Sequence, residues 1–426
     1  MAIKSIKKFL ISSILLQFFI SSPPGLGENG GLKLDLLIEE VLHNHPEIIA
    51  SKKRWEVYKE RIPQARSLPD PMLSFGVTNL PTNFSFKDED MTMKEISLSQ
   101  TFPFYGKRRL MAEMAEREAE AVFNEIQEKT NRVVKEVKTT FFELTFVYQS
   151  IEIAKKNKEV LESFAKIAET QYGLGTGIQQ DVLKAHIEVS KMVDELILLG
   201  QKRRALEARL GALLNRPMEN PMGRPEEVPF MKLTLPLEEL QKMALEENPV
   251  LKGMKKMIES KGKALEVARR EYFPDLTLRV AYGQRDNGPE VKRRDMLTGM
   301  VEMNLPIFYK SKQERKVAEA KADLQGLEAQ YRAMKNEILY LVAELASMVE
   351  RIKRQIELYK TGILPQASHQ VASALSAYRV GKADFMTLLD SRMTLYRYEL
   401  EYHQAIAEYH KTISNLEAVV GRRFNP

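Results

Sequence analysis

The chain has no cysteine in 426 residues. That absence excludes disulfides, thiolate metal sites, cysteine nucleophiles and a lipid anchor on an N-terminal cysteine. It also lacks any uninterrupted apolar run near the 18 or so residues that an α-helix needs to cross a bilayer. Charge of one sign is scarce too. The formal net charge is +6, but Lys4, Lys7 and Lys8 lie in a segment expected to be removed, which leaves 61 basic residues against 58 acidic ones. So even a balance gives no electrostatic case for nucleic acid as a partner. With 29% charged and 44% hydrophobic residues, the chain is neither disordered nor an α-helical membrane protein.

The N-terminus has the form of a secretory signal. Lys4, Lys7 and Lys8 precede an apolar run, Phe9 to Ile20, too short for a membrane helix. Gly25 and Gly27 place cleavage near residue 27, although Pro23 and Pro24 blur the site. The expected mature chain is therefore exported, with no transmembrane helix.

What is present is a repeat with a period of about half the chain. Pro46 and Pro249 are 203 residues apart, as are Pro103 and Pro306; Pro69 and Pro274 are 205 apart, and Gly175 and Gly381 are 206 apart. Four landmarks in one order at near-constant offset point to a duplication. The first copy is read as 34–214 and the second as 237–421, joined by a linker, 215–236, that holds Pro217, Pro221, Pro225, Pro229 and Pro236.

Each copy reads as helix, two strands, very long helix, tight turn, helix. From Lys107 to Tyr172 there is no Gly or Pro. Ala115, Ala119, Val122, Ile126, Val133, Val137, Phe141, Leu144, Tyr148 and Ile151 follow the three-and-four spacing of a coiled-coil seam. The second long helix is expected over 310–378, kinked at Pro365. Helices at 46–66 and 178–214, stacked end to end, nearly match the first long helix, so each copy pairs a continuous rod with a broken one.

Four segments change to a period of two: about 70–80, 93–103, 275–284 and 295–306. Leu73, Phe75 and Val77 alternate with Ser74, Gly76 and Thr78; Leu276, Leu278, Val280 and Tyr282 alternate with Thr277, Arg279, Ala281 and Gly283. Each is near the length of a transmembrane β-strand. Polar loops, 82–90 and 284–294, join the pairs. Phe102, Phe104 and Tyr105, and Phe308 and Tyr309, end the returning strands, as an aromatic girdle at a bilayer interface would. Lys107, Arg108, Arg109, Lys310 and Lys312 follow, where phospholipid headgroups would meet them. A soluble two-stranded ribbon would share much of this pattern. Four strands cannot close in lipid without unpaired backbone groups. Three chains would supply twelve, enough to leave a passage, and closure then implies cyclic symmetry.

These residues resemble the TolC family of outer-membrane efflux proteins over about residues 34–421. The most specific stretches are Leu-Ser-Gln-Thr-Phe-Pro-Phe-Tyr-Gly-Lys (98–107), Tyr-Gly-Leu-Gly-Thr-Gly (172–177) with Asp181-Val182-Leu183, and Leu-Pro-Gln-Ala (364–367) through Tyr378-Arg-Val-Gly381 to Leu388-Leu389-Asp390. The resemblance implies a mainly α-helical homotrimer: a 12-stranded membrane β-barrel continued by a long α-helical barrel into the periplasm. It implies a periplasmic adaptor and an inner-membrane pump, of the resistance-nodulation-division type, as partners. It places the chain in the outer membrane of a Gram-negative bacterium, in contact with its lipid.

The same resemblance makes 173–177 and 381–383 the periplasmic tips and puts carboxylates at the constriction. The matching position is Asp390; the family's other acidic position falls on Thr387, and Asp384 is the candidate substitute. A tyrosine-to-acid link of relatives falls on Tyr378 and Asp181, and a closing arginine falls on Ala383, a departure. Asp384 also fits a helix N-cap, and Asp181 a favourable first-turn carboxylate. Gly175, Leu183, Gly381 and Leu389 are the candidate adaptor contacts, with turn geometry and helix core as the alternative.

Other motifs carry less. Gly173-Leu-Gly175-Thr-Gly177 follows a helix and lacks the Lys-Ser/Thr ending of a phosphate loop. His43 and His45 are two apart and share no helix face; His403 and His410 are one heptad apart, as solvated or packed residues also are. Met91 and Met93, with Met300 and Met303, hint at soft-metal export but also fit strand packing. No catalytic constellation, cofactor motif or metal-ligand set stands out, so an enzyme is disfavoured. The reading is a passive conduit, opened by partners and gated at its periplasmic tip. The alternative is a periplasmic coiled-coil scaffold without a pore. Thr-Asn-Leu-Pro (78–81) and Met-Thr-Met (91–93) are similar to members serving heavy-metal pumps; drug or protein cargo stays open.

Overall fold

The computed structural model describes residues 31–217, 222–230, 233–288 and 290–424. The expected signal segment and Pro221 lie outside these. The first half runs α1 (Leu34–Asn44), α2 (Pro46–Arg66), β1 (Met72–Thr78), β2 (Met93–Phe102), α3 (Lys107–Gly173) and α4 (Gln179–Leu213). The second runs α5 (Leu237–Glu247), α6 (Pro249–Arg270), β3 (Leu276–Gln284), β4 (Met296–Met303), α7 (Gln313–Leu358), a π-helical turn (Tyr359–Ile363), α8 (Leu364–Arg379) and α9 (Phe385–Val420).

Local chemistry sets these boundaries. Proline opens both α2 and α6, where its missing N–H costs nothing. The preceding residue caps each helix: His45 Nδ1 accepts from Glu47 N at 3.3 Å, and Asn248 Oδ1 accepts from Leu251 N at 3.1 Å. With no internal breaker, α3 runs 67 residues, about 100 Å at 1.5 Å per residue. Its seam is buried from Ala115 through Leu144. Helices α2, α4, α6 and α9 all pack along it.

The second long helix departs from expectation at its start and at Pro365. Residues 307–312 form turns, with Phe308 O accepting from Ser311 N and Lys312 N, so the helix starts at Gln313. At Pro365 the chain does not break. Proline removes a donor and crowds the carbonyl one turn earlier; the π turn just before it, holding Gly362, widens the helix to take up the misfit. Tyr359 Oη donates to Glu401 Oε2 at 2.8 Å and ties this turn to α9.

The core is strung along the rods in layers. One joins α1, the middle of α3 and the end of α4 around Phe141 and Leu210. Another, near the far end of α3, joins α4, α8 and α9 around Leu161, Phe385 and Leu388. Two more fasten α5, the start of α6, α7 and α9 around Leu251 and Tyr409. No described helix is long and apolar enough to cross a membrane.

The four strands form one antiparallel sheet in the order β1-β2-β3-β4. Its central pair crosses the repeat boundary: Leu98 on β2 opposes Val280 on β3. β1 and β4 are unpaired on their outer sides.

Candidate functional site

The sheet is inverted relative to a soluble one. On β2, Ile96 and Leu98 are exposed while Ser97, between them, is 4% exposed. On β3, Leu276, Leu278, Val280 and Tyr282 are exposed, and Thr277, Arg279 and Ala281 are covered to different degrees. Register aligns the apolar residues into one continuous face: Phe75 opposes Ile96, Ile96 opposes Tyr282, and Tyr282 opposes Leu297. On β2 and β3 the polar residues are the more covered and the apolar ones the more exposed, the pattern of a sheet that curves with its polar face concave and its apolar face convex. On the concave face Arg279 Nη2 meets Glu95 Oε1 at 2.6 Å, and Thr78 Oγ1 donates to Glu95 Oε2 at 3.2 Å. Water serves a bare apolar face poorly, and a face this large marks a membrane or protein contact.

At the helix end of the sheet Tyr105 is 89% exposed and Phe308 76%. Phe102 is exposed and Tyr309 lies near Tyr272, ring centroids 6.4 Å apart. Phe104 corrects the girdle assignment. It stacks on Phe273 at 4.5 Å and is half-buried, because Asp275 Oδ1 accepts from its N–H at 2.7 Å and turns the ring inward. The same Asp275 oxygen pairs at 2.7 Å with buried Lys107, so this lysine is a junction residue rather than a headgroup contact. At the loop end, Arg293 reaches across repeats to Asp90 at 2.6 Å and donates to Lys87 O at 2.9 Å.

At the far end of the rods the two turns are built alike. Gly175 and Gly381 both have φ +74°, where a Cβ is strained. Gly175 N donates to Tyr172 O at 3.0 Å and Gly381 N to Tyr378 O at 3.1 Å. The tyrosines then differ. Tyr172 is exposed, whereas Tyr378 is buried against Phe385, centroids 5.6 Å apart.

The tip residues do not form the arrangement expected of them in every respect. Tyr378 Oη has no hydrogen-bond partner among the described residues, so the Tyr378–Asp181 link is not made. Asp181 is near enough to help burial raise the Tyr378 pKa. Burial, then the Asp384 carboxylate, raises Asp181 above the ordinary value. Asp384 is the N-cap of α9: Oδ1 accepts from Thr387 N at 2.7 Å. The Thr387 bonds hold its carboxyl below the usual range. Asp390 is exposed one turn further on, beside buried Leu388 and Leu389. Leu389, expected at the adaptor surface, is only 3% exposed and packs into the tip core with Leu388, because the α3, α8 and α9 faces meet there. Leu183 is 56% exposed, and the two glycines are bare.

Sequence reasoning missed a buried polar pair in this region. Arg392 Nε on α9 donates to Asn157 Oδ1 on α3 at 2.6 Å, with Glu399 3.7 Å from Nη2. The signal was an arginine inside the apolar stripe Leu388, Leu389, Leu395, Tyr396. The histidines take structural roles. His43 bonds Glu39 O at 2.8 Å. His410 stacks on Phe142 at 4.5 Å, and burial, then Lys138, pushes it down to about 4, which keeps it neutral. It lines a largely apolar cavity of about 550 Å³ with Phe142, Phe230, Tyr402 and His403, remote from sheet and tip.

A family model described as outer membrane efflux protein matches residues 37–216 and 240–422, nearly all of both repeats. The chain belongs to the outer membrane efflux protein family. Like that family it is an efflux channel component of tripartite pumps, a transport protein in the outer membrane and reaching into the periplasm. The cobalt-zinc-cadmium resistance protein CzcC of Cupriavidus metallidurans is 21% identical over 397 residues, 92% of this chain and 91% of that one. The outer membrane protein VceC of Vibrio cholerae superposes with a TM-score of 0.77 at 19% identity, over 92% of this chain and 97% of that one. CusC, described as forming a transmembrane channel, gives 0.79 at 16% identity over 93% and 96%.

Proposed function

We propose that this efflux channel protein works as a homotrimer whose three four-stranded sheets join edge to edge into a 12-stranded barrel. The observation that carries this is the sheet itself: two unpaired edges on a sheet whose convex side is apolar. In lipid each unpaired backbone group costs several kcal/mol, so β4 of one chain must pair with β1 of another. The helices below would continue the conduit into the periplasm, with two structural repeats per chain contributing equally. A scaffold without a pore is disfavoured, since it gives the exposed convex face nothing to do.

In this reading the α3–α4 and α8–α9 turns meet the hairpins of a periplasmic adaptor through Gly175, Leu183 and Gly381, and an inner-membrane pump supplies the energy. Asp390, with Asp181 and Asp384 near it, would ring the narrowest point, and low-dielectric walls would focus their field on cations. The likeness to CzcC, a cobalt-zinc-cadmium resistance protein, supports metal ions as cargo; a pump of the resistance-nodulation-division type is the partner this reading expects. Light scattering of protein purified in mild detergent, with planar-bilayer conductance of the same sample, tests the proposal. A trimer mass with ion conductance is expected; a monomer without conductance would overturn it.

A further inference from the structure

Methionine is common in this chain, 20 residues, and its placement on the sheet is uneven. Residues in register with Ser97 and Ser99 form the concave face. Met72 opposes Ser99, Arg279 opposes Met300, and Gly283 opposes Met296. Met93 lies two residues before Glu95, itself opposite Gly283. Four methionines thus share a face otherwise made of Ser, Thr, Gly, Ala, Glu and Arg. Met72, Met296 and Met300 are exposed there, Met72 at 67%.

Two of the four adjoin Gly283. A Cβ at Gly283 would point to the concave face, as that of Ala281 does. It would lie 3.2 Å from Met93 Cγ and closer still to the sulfur. The Met93 thioether therefore lies over Gly283, in space only glycine leaves open. Met296 is the partner of Gly283 on the next strand. One strand spacing, about 4.8 Å, separates adjacent columns, so Met296 starts one strand away from the glycine that the Met93 sulfur covers.

We propose that Met93 and Met296, on either side of Gly283, form a thioether site for a soft monovalent cation, copper(I) or silver(I), on the wall of the conduit near its loop end. Neutral thioethers are soft donors that select such ions over hard ones, and two donors suffice for an ion that accepts linear coordination. Among the described residues no three His, Cys, Asp or Glu side chains converge to hold a metal, and Glu95, opposite Gly283, is engaged by Arg279. A neutral two-donor site binds weakly enough to release its ion, as passage requires. The inference rests on the concave face being the wall of a channel.

The absence of cysteine makes silver(I) a clean probe. Silver nitrate is titrated calorimetrically, in chloride-free buffer, into the full chain purified in detergent. Saturable binding to the unaltered protein is expected. Met93→Leu and Met296→Leu should each weaken it at least tenfold, and Met334→Leu, exposed on α7, should leave it unchanged. Met296→Leu is the safer variant, since that side chain is exposed; heat resistance of each sample reports folding. Unchanged binding in a folded Met93→Leu/Met296→Leu double variant would overturn the site, as would an equal loss in Met334→Leu. Conductance of the unaltered protein tests the channel by itself, so either reading can fail alone.

Discussion

Arg392 Nε donates to Asn157 Oδ1 at 2.6 Å, joining α9 of the second repeat to α3 of the first. Asn157 is fully buried and Arg392 is 8% exposed. Asn157 Nδ2 also faces Met192 Sδ at 3.2 Å. Burial lowers the arginine pKa, with Glu399 opposing. This bond fixes how the α8–α9 pair sits on the α3–α4 pair above the tip.

Asn157→Leu should strand a buried guanidinium and cost about 3 kcal/mol, the scale for removing one partner of a buried charge. Adding Arg392→Met should recover most of that loss. Chemical denaturation of the single and double variants checks this; additive losses would mean the pair is not coupled.

The two faces of β2 should respond oppositely to charge. Leu98→Arg places a cation on the convex face and should cost about 2–4 kcal/mol in phospholipid vesicles, the scale for a lipid-facing midplane position. Ser99→Arg, one residue on and facing the concave side, should fold and alter ion selectivity instead. Vesicle refolding titrations compare the two, and equal losses would contradict an apolar outer wall.

Asp390→Ala should lower cation over anion selectivity in planar bilayers. Asp390 is exposed and uncapped, unlike Asp384, which is occupied by Thr387 N. Reversal potentials under a salt gradient measure the change; an unshifted potential would remove Asp390 from the constriction.

The tip carboxylates should give opposite pH dependences. Asp181 has a raised pKa, so its contribution is fully present below the ordinary value of 3.8 and lost as pH rises through the raised one. Asp384 is lowered, so its contribution is present above 3.8 and lost as pH falls through the lowered value. Asp181→Asn should therefore increase amide protection of the α3–α4 turn at pH 7, and Asp384→Ala should reduce that of the α8–α9 turn. Hydrogen exchange reads both turns in one experiment.

Both tip glycines should resist substitution. Gly175→Ala and Gly381→Ala place a Cβ at φ +74°, at a cost of about 1–2 kcal/mol each. No neighbour lies within 4 Å of either position, so the loss would be backbone strain, and Asn, which tolerates that region, should recover part of it in thermal melts.

Much of this molecule was legible in its sequence because the signals are local and periodic. Breaker-free 107–172 dictates a long helix, alternation at 73–77 and 276–282 dictates strands with one apolar face, and Gly175 and Gly381 dictate the turns. What local pattern cannot hold is which faces meet across about 200 residues, since that depends on packing between distant segments. Only the tertiary structure decided that β2 pairs with β3 and leaves β1 and β4 open. It turned Phe104 onto Phe273 and Leu389 into the tip core, and converted the proline kink into a π turn. It left Tyr378 Oη without a partner and set Arg392 on Asn157. Periodicity fixes which face of an element is apolar; only the arrangement of elements fixes what that face touches.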